Sequence, residues 1–212
     1  MSNSPKTPTR RGRPNKTQVQ IEENRAYVIK IAKDLFSLYG YEGVSMRKIA
    51  EKAEFQPSQL YTLFSNKREL LHFIWEDVFK DFSTYIKKSS NMALSSQRLE
   101  KICIATINFW LERPEDYRAI FLIQDQLQTS EDRYFVDSPQ IEDILIIFKN
   151  AIVEAQKSKI IKSGDVQVIT NLLICSIQGV IFNLINIPEF PWGDKENLKH
   201  LMIKTTINGL KL

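Results

Sequence analysis

Apolar residues recur at three- and four-residue spacing along almost the whole chain after about residue 22. This is the period of an amphipathic helix, and no stretch shows the sustained alternation or the paired hairpin turns that are typical of a sheet. The pattern therefore predicts an all-α protein of about nine helices. The later helices are expected near residues 96–113, 114–126, 139–158, 165–187 and 194–211.

The first twenty residues break this pattern. They are rich in Pro, Ser, Thr and basic residues and contain almost no large apolar side chain. Such a segment cannot bury enough surface to offset the entropy cost of ordering. We predict a disordered basic arm over 1–20, a small helical DNA-binding domain over 21–70, and a larger helical regulatory and dimerisation domain over 71–212.

The net charge is unevenly distributed. Residues 1–70 contain 13 Lys and Arg against 7 Asp and Glu, a net charge of +6. The rest of the chain contains 16 against 18, a net charge of −2, and the two sum to the overall +4. A basic N-terminal third on a slightly acidic body indicates a polyanionic partner for one end only, although a solvated basic tail would give the same pattern.

Several classes of protein are disfavoured by the sequence. No apolar run reaches the roughly 18 residues of a membrane span, and the first twenty residues lack the apolar stretch of a signal peptide. Two cysteines and two histidines give neither a zinc spacing nor a disulfide framework. We find no catalytic nucleophile with its base and no glycine-rich phosphate loop. We therefore expect a cytoplasmic protein that is not an enzyme and has no metal, cofactor or membrane partner.

Residues 45–64 have the pattern of two short helices joined by a tight turn. Ser45 is placed to cap the first, whose apolar stripe runs to Ala53. A break over 54–56 follows, and Pro57 suits the first turn of the second helix. In a helix-turn-helix the first helix braces against the DNA backbone and the second lies in the major groove. A helical hairpin with a solvated polar face would have the same pattern.

Longer helices are predicted on either side of this pair. The first starts near Glu22 and ends at Gly40, because glycine readily adopts the left-handed conformation that follows many helices. The other opens at Ser65, a plausible N-cap, and continues through Ile74 and Val78. We expect this helix to join the small domain to the larger one.

Polar side chains in and before the second short helix can both donate and accept hydrogen bonds, as base edges require. Gln56, Ser58 and Gln59 are the leading candidates for reading base edges: Gln59 could pair bidentately with adenine, and Ser58 could reach a base or a phosphate. Arg47 and Lys48, at the start of the first short helix, are placed to neutralise phosphates. Contacts to phosphate would set register and affinity rather than sequence preference. The remaining candidates for DNA contact in this region are Ser45, Tyr61, Thr62 and Lys67.

The same segment resembles the TetR family of regulators over residues 25–72. The agreeing positions stand at fixed spacing: Ile31-Ala32, Leu35-Phe36, Gly40-Tyr41, Ser45 to Ala50, Leu60-Tyr61, Phe64, Lys67 and Leu70-Leu71. The resemblance implies a homodimeric, all-helical regulator, usually a repressor of a palindromic operator, released by a small-molecule effector bound in the larger domain. It also implies phosphate contacts at Tyr61 and Lys67, and base contacts at Pro57, Ser58 and Gln59.

The sequence departs from the family pattern at two positions. Glu54 stands where the family usually has glycine, in the turn between the two short helices. A left-handed conformation there would cost a non-glycine residue about 1 kcal/mol, so the turn could differ. Leu63 stands where the family often has histidine, so a contact made by that histidine cannot be assumed here.

The arm contains the segment Arg10-Arg11-Gly12-Arg13-Pro14, which looks like the core of an AT-hook. A narrow A·T minor groove concentrates negative potential and attracts arginine. Arg10, Arg11 and Arg13 are therefore candidates for DNA contact, and a non-specific electrostatic tail is the alternative. The rival interpretation of the whole chain, a lipid- or membrane-surface-binding helical protein anchored by this arm, lacks the interleaved Trp, Phe and Leu needed for insertion.

The larger domain is expected to contain the effector pocket. Aromatic residues at helical spacing more often form a core than a ligand cage, whereas polar side chains stranded on apolar faces need partners. The residues do not indicate which ligand would bind. The candidate lining residues are Phe79, Thr106, Phe109, Trp110, Tyr117, Phe121, Gln124, Phe148 and Gln178.

The helices near 139–158 and 165–187 are apolar on more than one side, and a helix apolar over so wide an arc needs cover beyond its own chain's core, which leaves 139–158 open as a further part of an interface. The TetR resemblance implies a four-helix dimer interface made by the last two helices, here 165–187 and 194–211. Gly179 would permit close approach across a two-fold axis. The predicted interface residues are Leu173, Ile177, Gly179, Val180, Ile181, Leu184, Leu201 and Ile207.

Overall fold

A computed structural model of the protein describes residues 17–94, 97–123, 136 and 138–211. These residues form nine helices and no strand, which confirms the predicted all-α class. The predicted contact residues Arg10, Arg11, Arg13 and Gln124 lie outside the described residues. The helices are α1 (Gln18–Tyr39), α2 (Met46–Lys52), α3 (Pro57–Leu63), α4 (Lys67–Asn91), α5 (Arg98–Leu111), α6 (Pro114–Phe121), α7 (Pro139–Lys157), α8 (Val166–Asn186) and α9 (Lys195–Gly209).

The helix α1 begins at Gln18, four residues before the predicted start at Glu22. Thr17 and Gln20 form a reciprocal cap: the Thr17 amide donates to Gln20 Oε1 at 3.0 Å, and the Gln20 amide donates to Thr17 Oγ1 at 3.3 Å. This capping box satisfies two amides that the first turn of a helix leaves without partners. The first helix therefore extends into the segment predicted as the arm.

The start of α4 also differs from the prediction. Asn66, rather than Ser65, caps the helix, with its side-chain oxygen accepting from the Glu69 amide at 2.8 Å. Ser65 instead donates to the Glu69 carboxylate through both its hydroxyl and its backbone amide. These two hydrogen bonds hold the pKa of Glu69 below its usual value. In the larger domain, α6 ends at Phe121, five residues before the predicted end.

The helices α1, α2 and α3 enclose the small core that fixes the helix-turn-helix. Val28, Ile49 and Leu60, one from each helix, are fully buried, and Phe64 closes the core after α3. Leu63, at the position where the family often has histidine, is also buried. It therefore stabilises the domain by packing and does not contribute to its polar surface.

The turn between α2 and α3 has the left-handed conformation that glycine would favour. Glu54 has φ 57°. The Phe55 amide donates to the carbonyl of Ala50 at 2.8 Å, and the Glu54 amide donates to the carbonyl of Glu51 at 3.1 Å. These two bonds define a Schellman motif, in which the left-handed position is usually glycine. The turn thus keeps its geometry without glycine.

We expect Glu54→Gly to raise the free energy of unfolding by about 0.5–1 kcal/mol, because glycine adopts positive φ without steric cost. For a chain of this size the melting temperature should rise by about 1–4 °C. Thermal unfolding followed by circular dichroism measures this change. Lys159, with φ 55°, is the matched site after α7, and Lys159→Gly should act alike. A fall in melting temperature for both variants would contradict the strain argument.

The larger domain is organised around α5, which packs against α4, α6, α7, α8 and α9. Its residues Ile102, Cys103, Ile107 and Phe109 are fully buried. Burial raises the pKa of the Cys103 thiol to about 12, so this thiol stays protonated at neutral pH. The helix therefore serves as the packing centre of the body, with no exposed reactive group at Cys103.

Among the described residues, α8 is the one helix long and apolar enough in average composition to cross a membrane. The sequence contains no uninterrupted run of this length because Gln, Asn, Thr and Ser separate the apolar residues of the helix. Core helices of soluble proteins meet the same criteria. Since α8 packs against α5, α7 and α9, packing within the chain accounts for the apolar residues on those faces.

Candidate nucleic-acid interface and its links to the body

The helix α3 presents the predicted base-reading residues at its N-terminal end. Gln56, Pro57 and Ser58 are exposed, and Gln59 is half-buried. The Gln56 amide donates to Gln59 Oε1 at 3.2 Å, which commits the carbonyl oxygen of this side chain to the helix cap. The Gln59 amide nitrogen carries two further donors. As positioned, Gln59 can donate to a base, whereas the bidentate adenine contact requires its oxygen to leave the cap.

Two other predicted contact residues also make hydrogen bonds within the small domain. Ser45 Oγ accepts from the Lys48 amide at 3.2 Å and so caps α2. The Thr62 hydroxyl donates to the carbonyl of Gln59 at 2.6 Å. Arg47 and Tyr61 are exposed. Ser45 and Thr62 thus order the short helices and are also exposed to solvent.

Two lysines of the predicted set lie against aromatic rings. Lys48 Nζ is 3.4 Å from the ring centroid of Tyr39. Lys67 Nζ is 3.9 Å from the ring centroid of Tyr41 and donates to the carbonyl of Tyr41 at 2.8 Å. Neither tyrosine was predicted from the sequence to have a functional role. The sequence feature that could have indicated such a role is their position on either side of Gly40, shortly before α2.

Six of the nine predicted pocket residues come together in one cluster. Trp110 is the centre, with ring centroids 6.2 Å from Phe79, 5.1 Å from Phe109, 5.9 Å from Tyr117 and 5.2 Å from Phe121. The sixth is Gln178 of α8, whose Oε1 accepts from the Tyr117 hydroxyl at 2.8 Å. Burial raises the pKa of Tyr117 to about 12, so this hydroxyl remains a donor at neutral pH.

The other predicted pocket residues do not join the ring contacts described for this cluster. Thr106 is buried, but its hydroxyl donates to the carbonyl of Ile102 at 2.9 Å, so it needs no ligand as a partner. Phe148 is buried on α7. Phe82, which was not among the predicted pocket residues, does belong to the cluster. Its ring centroid is 5.2 Å from Trp110 and 4.8 Å from Phe109.

A separate groove of about 560 Å³ lies between the end of α4, α5 and α9. It is bordered by Tyr85, Ile104, Lys101, His200 and Lys204, among others, and none of the predicted pocket residues lines it. The aromatic cluster and this groove are therefore two different places in the body.

The predicted dimer residues are mostly in the protomer's own core. Leu173, Ile177, Val180, Ile181, Leu184 and Ile207 are buried in the single chain, because α8 packs this face against α5 and α7 and α9 packs Ile207 inward. They leave little side-chain surface for a second copy, and their place in a dimer interface stays a prediction. Gly179 and Leu201 are exposed, as an interface requires.

Another face of α8 carries an exposed apolar stripe. Its members recur at four- and three-residue spacing: Val168, Leu172, Cys175, Gly179 and Phe182. Leu201 and Met202 of α9 are also exposed. These seven residues are called the α8–α9 stripe below. Exposed apolar surface is typical of association sites, so the α8–α9 stripe is a candidate interface.

The small domain, formed by α1 to α3, meets the larger domain at α6 as well as through α4. Lys33 of α1 places its Nζ 3.1 Å from Asp116 of α6 and 3.7 Å from Asp77 of α4. Lys33 and Asp116 are both largely shielded from water, so their attraction is screened less than that of a surface pair. Lys33 therefore connects α1 of the small domain to both α4 and α6.

A second connection runs from α1 through α6 to α8. Ser37 donates to the Glu115 carboxylate, and this bond, with Arg118, holds the pKa of Glu115 below its usual value. Arg118 Nη1 donates to the Glu115 carboxylate at 3.0 Å, and Nη2 donates to the carbonyl of Ile185 near the end of α8 at 2.9 Å. The short helix α6 thus contacts α1 of the small domain, the aromatic cluster, and α8, which carries most of the exposed stripe.

Residues 28–74 match the sequence profile of the family described as "Bacterial regulatory proteins, tetR family". No curated protein matches the sequence at a significant level. Among solved structures, the fold is similar to a TetR family transcription regulator from Marinobacter aquaeolei VT8, at TM-score 0.69 and 16% identity over 92% of this chain and 98% of the other.

Two further structures similar to this chain contain ligands. The SmeT–triclosan complex has TM-score 0.68 and 18% identity, over 88% of this chain and 91% of the other. AibR in complex with isovaleryl coenzyme A and operator DNA has TM-score 0.68 and 21% identity, over 86% and 97%. At these identities the likeness shows the fold, which is that of TetR-family transcription regulators.

Proposed function

We propose that this chain, a member of the TetR family by its N-terminal domain and its fold, is a homodimeric repressor that binds a palindromic operator and is released by a small-molecule effector. The observation that carries the DNA-binding part is the helix-turn-helix itself. It presents Gln56, Ser58 and Gln59 at the accessible start of α3, with Arg47 exposed on α2. TetR-family regulators are DNA-binding proteins, and we propose no catalytic activity for this one.

The family relationship and the charge distribution together favour DNA over a lipid surface as the anionic partner. Base readout needs donors and acceptors at the groove-facing end of a helix, and α3 has them. Insertion into a lipid surface needs aromatic and aliphatic residues interleaved with the basic ones, and the basic N-terminal segment lacks them.

The effector site is proposed at the aromatic cluster. Tyr117 and Gln178 provide a polar pair among rings, the combination that orients a small ligand in an apolar pocket. The related folds of SmeT with triclosan and AibR with isovaleryl coenzyme A support a small-molecule effector for this chain. An effector acts only through its different affinity for the DNA-bound and released arrangements.

Selection of bound sequences from random duplexes with the full-length protein tests the proposal. We expect a two-fold symmetric motif, with half-sites about one helical turn apart or a multiple of it, because two recognition helices must meet the same face of the duplex. If no motif is enriched at low or moderate salt and the protein instead binds anionic vesicles, the membrane-surface alternative would replace the proposed DNA-binding function.

Gln59→Ala is expected to relax base preference at one position in each half-site, since a base contact supplies about 1–3 kcal/mol of discrimination. Gln59→Glu is the control for the helix cap, because a carboxylate can still accept from the Gln56 amide but cannot donate to a base. Arg47→Ala should instead weaken all sequences alike. Repeating the selection with each variant measures the motif, and an unchanged motif for Gln59→Ala and Gln59→Glu would rule out this base contact.

A further inference from the structure

Two tyrosines separated by one glycine stand where α1 ends and the turn to α2 begins. Gly40 has φ 69° and ψ 162°, a combination that is essentially restricted to glycine. The rings before and after it have different environments: Tyr39 is 55% exposed, whereas Tyr41 is buried, with its ring centroid 5.3 Å from that of Phe36. The glycine thus allows one tyrosine to enter the core while the other remains at the surface.

Each tyrosine lies beneath a lysine from a different helix. Lys67, at the start of α4, is fixed both by the ring of Tyr41 and by its carbonyl oxygen. Lys48, in the first turn of α2, lies over the exposed ring of Tyr39, with Nζ 3.4 Å from the centroid. A cation over an aromatic face within about 6 Å is attracted by the ring's quadrupole. No carboxylate is paired with Lys48 among the described ion pairs, so its charge remains available to an anion.

We infer that Tyr39 is a positioning residue for a phosphate contact made by Lys48. This inference rests on the proposed function and adds a role for a residue outside the recognition helix. A lysine side chain loses substantial rotamer freedom when it is fixed on a phosphate. The ring of Tyr39 restricts that freedom before DNA arrives, so less is lost on binding. The ring neither removes the charge nor uses the three N–H donors in conventional hydrogen bonds.

The charge of Lys48 and the ring of Tyr39 are expected to affect operator binding in different ways. Lys48→Ala removes the charge and should reduce both operator affinity and its salt dependence, because the slope falls by about 1 for each phosphate that is no longer neutralised. Tyr39→Leu keeps the charge and removes the ring. It should weaken binding by about two- to five-fold for each protomer, the size of an exposed cation–π interaction, and leave the salt slope close to that of the wild type.

A double-mutant cycle on the full-length dimer tests this. Operator affinity is measured for the wild type, Tyr39→Leu, Lys48→Ala and the double variant, over a range of salt concentrations. We expect Tyr39→Leu to cost nothing further once Lys48 is alanine, because the ring acts through the lysine. Tyr39→Phe should retain most of the wild-type affinity, because the aromatic face is preserved. Melting temperatures identify any variant whose fold is damaged.

Three results would overturn the inference. The first is an equal decrease in affinity from Tyr39→Leu with and without Lys48. The second is no decrease from Tyr39→Leu in the wild-type background. The third is the full decrease in Tyr39→Phe, which would assign the effect to the tyrosine hydroxyl. If the wild-type protein binds no duplex, the proposed function fails instead, so the two failures are distinguishable.

Discussion

Leu172→Arg is expected to convert the proposed homodimer, whose interface we place on the α8–α9 stripe, to monomers and to weaken operator binding on the order of 100-fold or more. Leu172 is 45% exposed at the second position of the α8–α9 stripe. In the proposed dimer, the substitution would bury an unpaired charge in each protomer, which costs several kcal/mol. A monomer retains one recognition helix and loses the effective concentration that makes binding to the second half-site intramolecular, a factor of about 10²–10⁴.

Sedimentation gives the oligomeric state and a titration with operator DNA gives the affinity. Ile146→Arg is the matched control: it is an aliphatic residue of similar exposure, 47%, but it lies on α7 outside the stripe. This variant should remain dimeric with full affinity. If Leu172→Arg stays dimeric and binds as well as the wild type, the α8–α9 stripe is not the dimer interface.

Removal of residues 1–16 is expected to produce the other large effect, a fall in operator affinity together with weaker salt dependence. Each protomer loses Lys6, Arg10, Arg11, Arg13 and Lys16, so a dimer loses ten positive charges. Each phosphate neutralised contributes about 0.9 to the slope of log affinity against log salt, so the slope can fall by up to about 9. Truncation before Thr17 preserves the cap of α1.

The same deletion distinguishes the two interpretations of the basic segment. If its arginines enter a narrow minor groove, the decrease in affinity should be greater for operators with A·T flanks than for operators with G·C flanks. A variant with Arg10, Arg11 and Arg13 all changed to lysine keeps the charge and serves as the control for electrostatics alone. Equal decreases on both kinds of flank would leave a non-specific electrostatic segment.

The helices were predictable because their periodic patterns are bounded by residues with strong local preferences. Gly40, Pro57, Pro114 and Pro139 each stand at or beside a helix end, as expected. The start of α1 was missed because Thr17 and Gln20 act through hydrogen bonds to each other, which hydrophobic periodicity does not register. The same applies to Asn66, which competes with Ser65 one position away.

The register of α8 could not be read from the sequence. Ile177 and Leu172 are both aliphatic, and the helix is apolar on most sides, so periodicity does not say which face meets the protomer's own core. That choice depends on the positions of α5, α7 and α9. An Ile177→Arg substitution would therefore test the stability of the protomer, whereas a substitution at Leu172 tests association.

The placement of Lys48 and Lys67 over tyrosine rings could not be predicted from the sequence either. Lys48 is nine residues from Tyr39, and Lys67 is 26 residues from Tyr41. Only the packing of α1 against α2 and α4 brings these pairs together. The aromatic cluster was easier to predict because most of its members share the buried faces of α4, α5 and α6.

The helix α6 is only eight residues long, and consecutive residues on it face different parts of the protein. Asp116 contacts Lys33 of the DNA-binding domain, and Tyr117 contacts Gln178 beside the rings of the proposed effector site. A ligand whose binding shifted the backbone of α6 at Tyr117 would also shift Asp116, since the two residues are adjacent on one helical turn. In the proposed switch such coupling would be reciprocal: operator DNA would lower effector affinity by the same factor by which the effector lowers affinity for DNA.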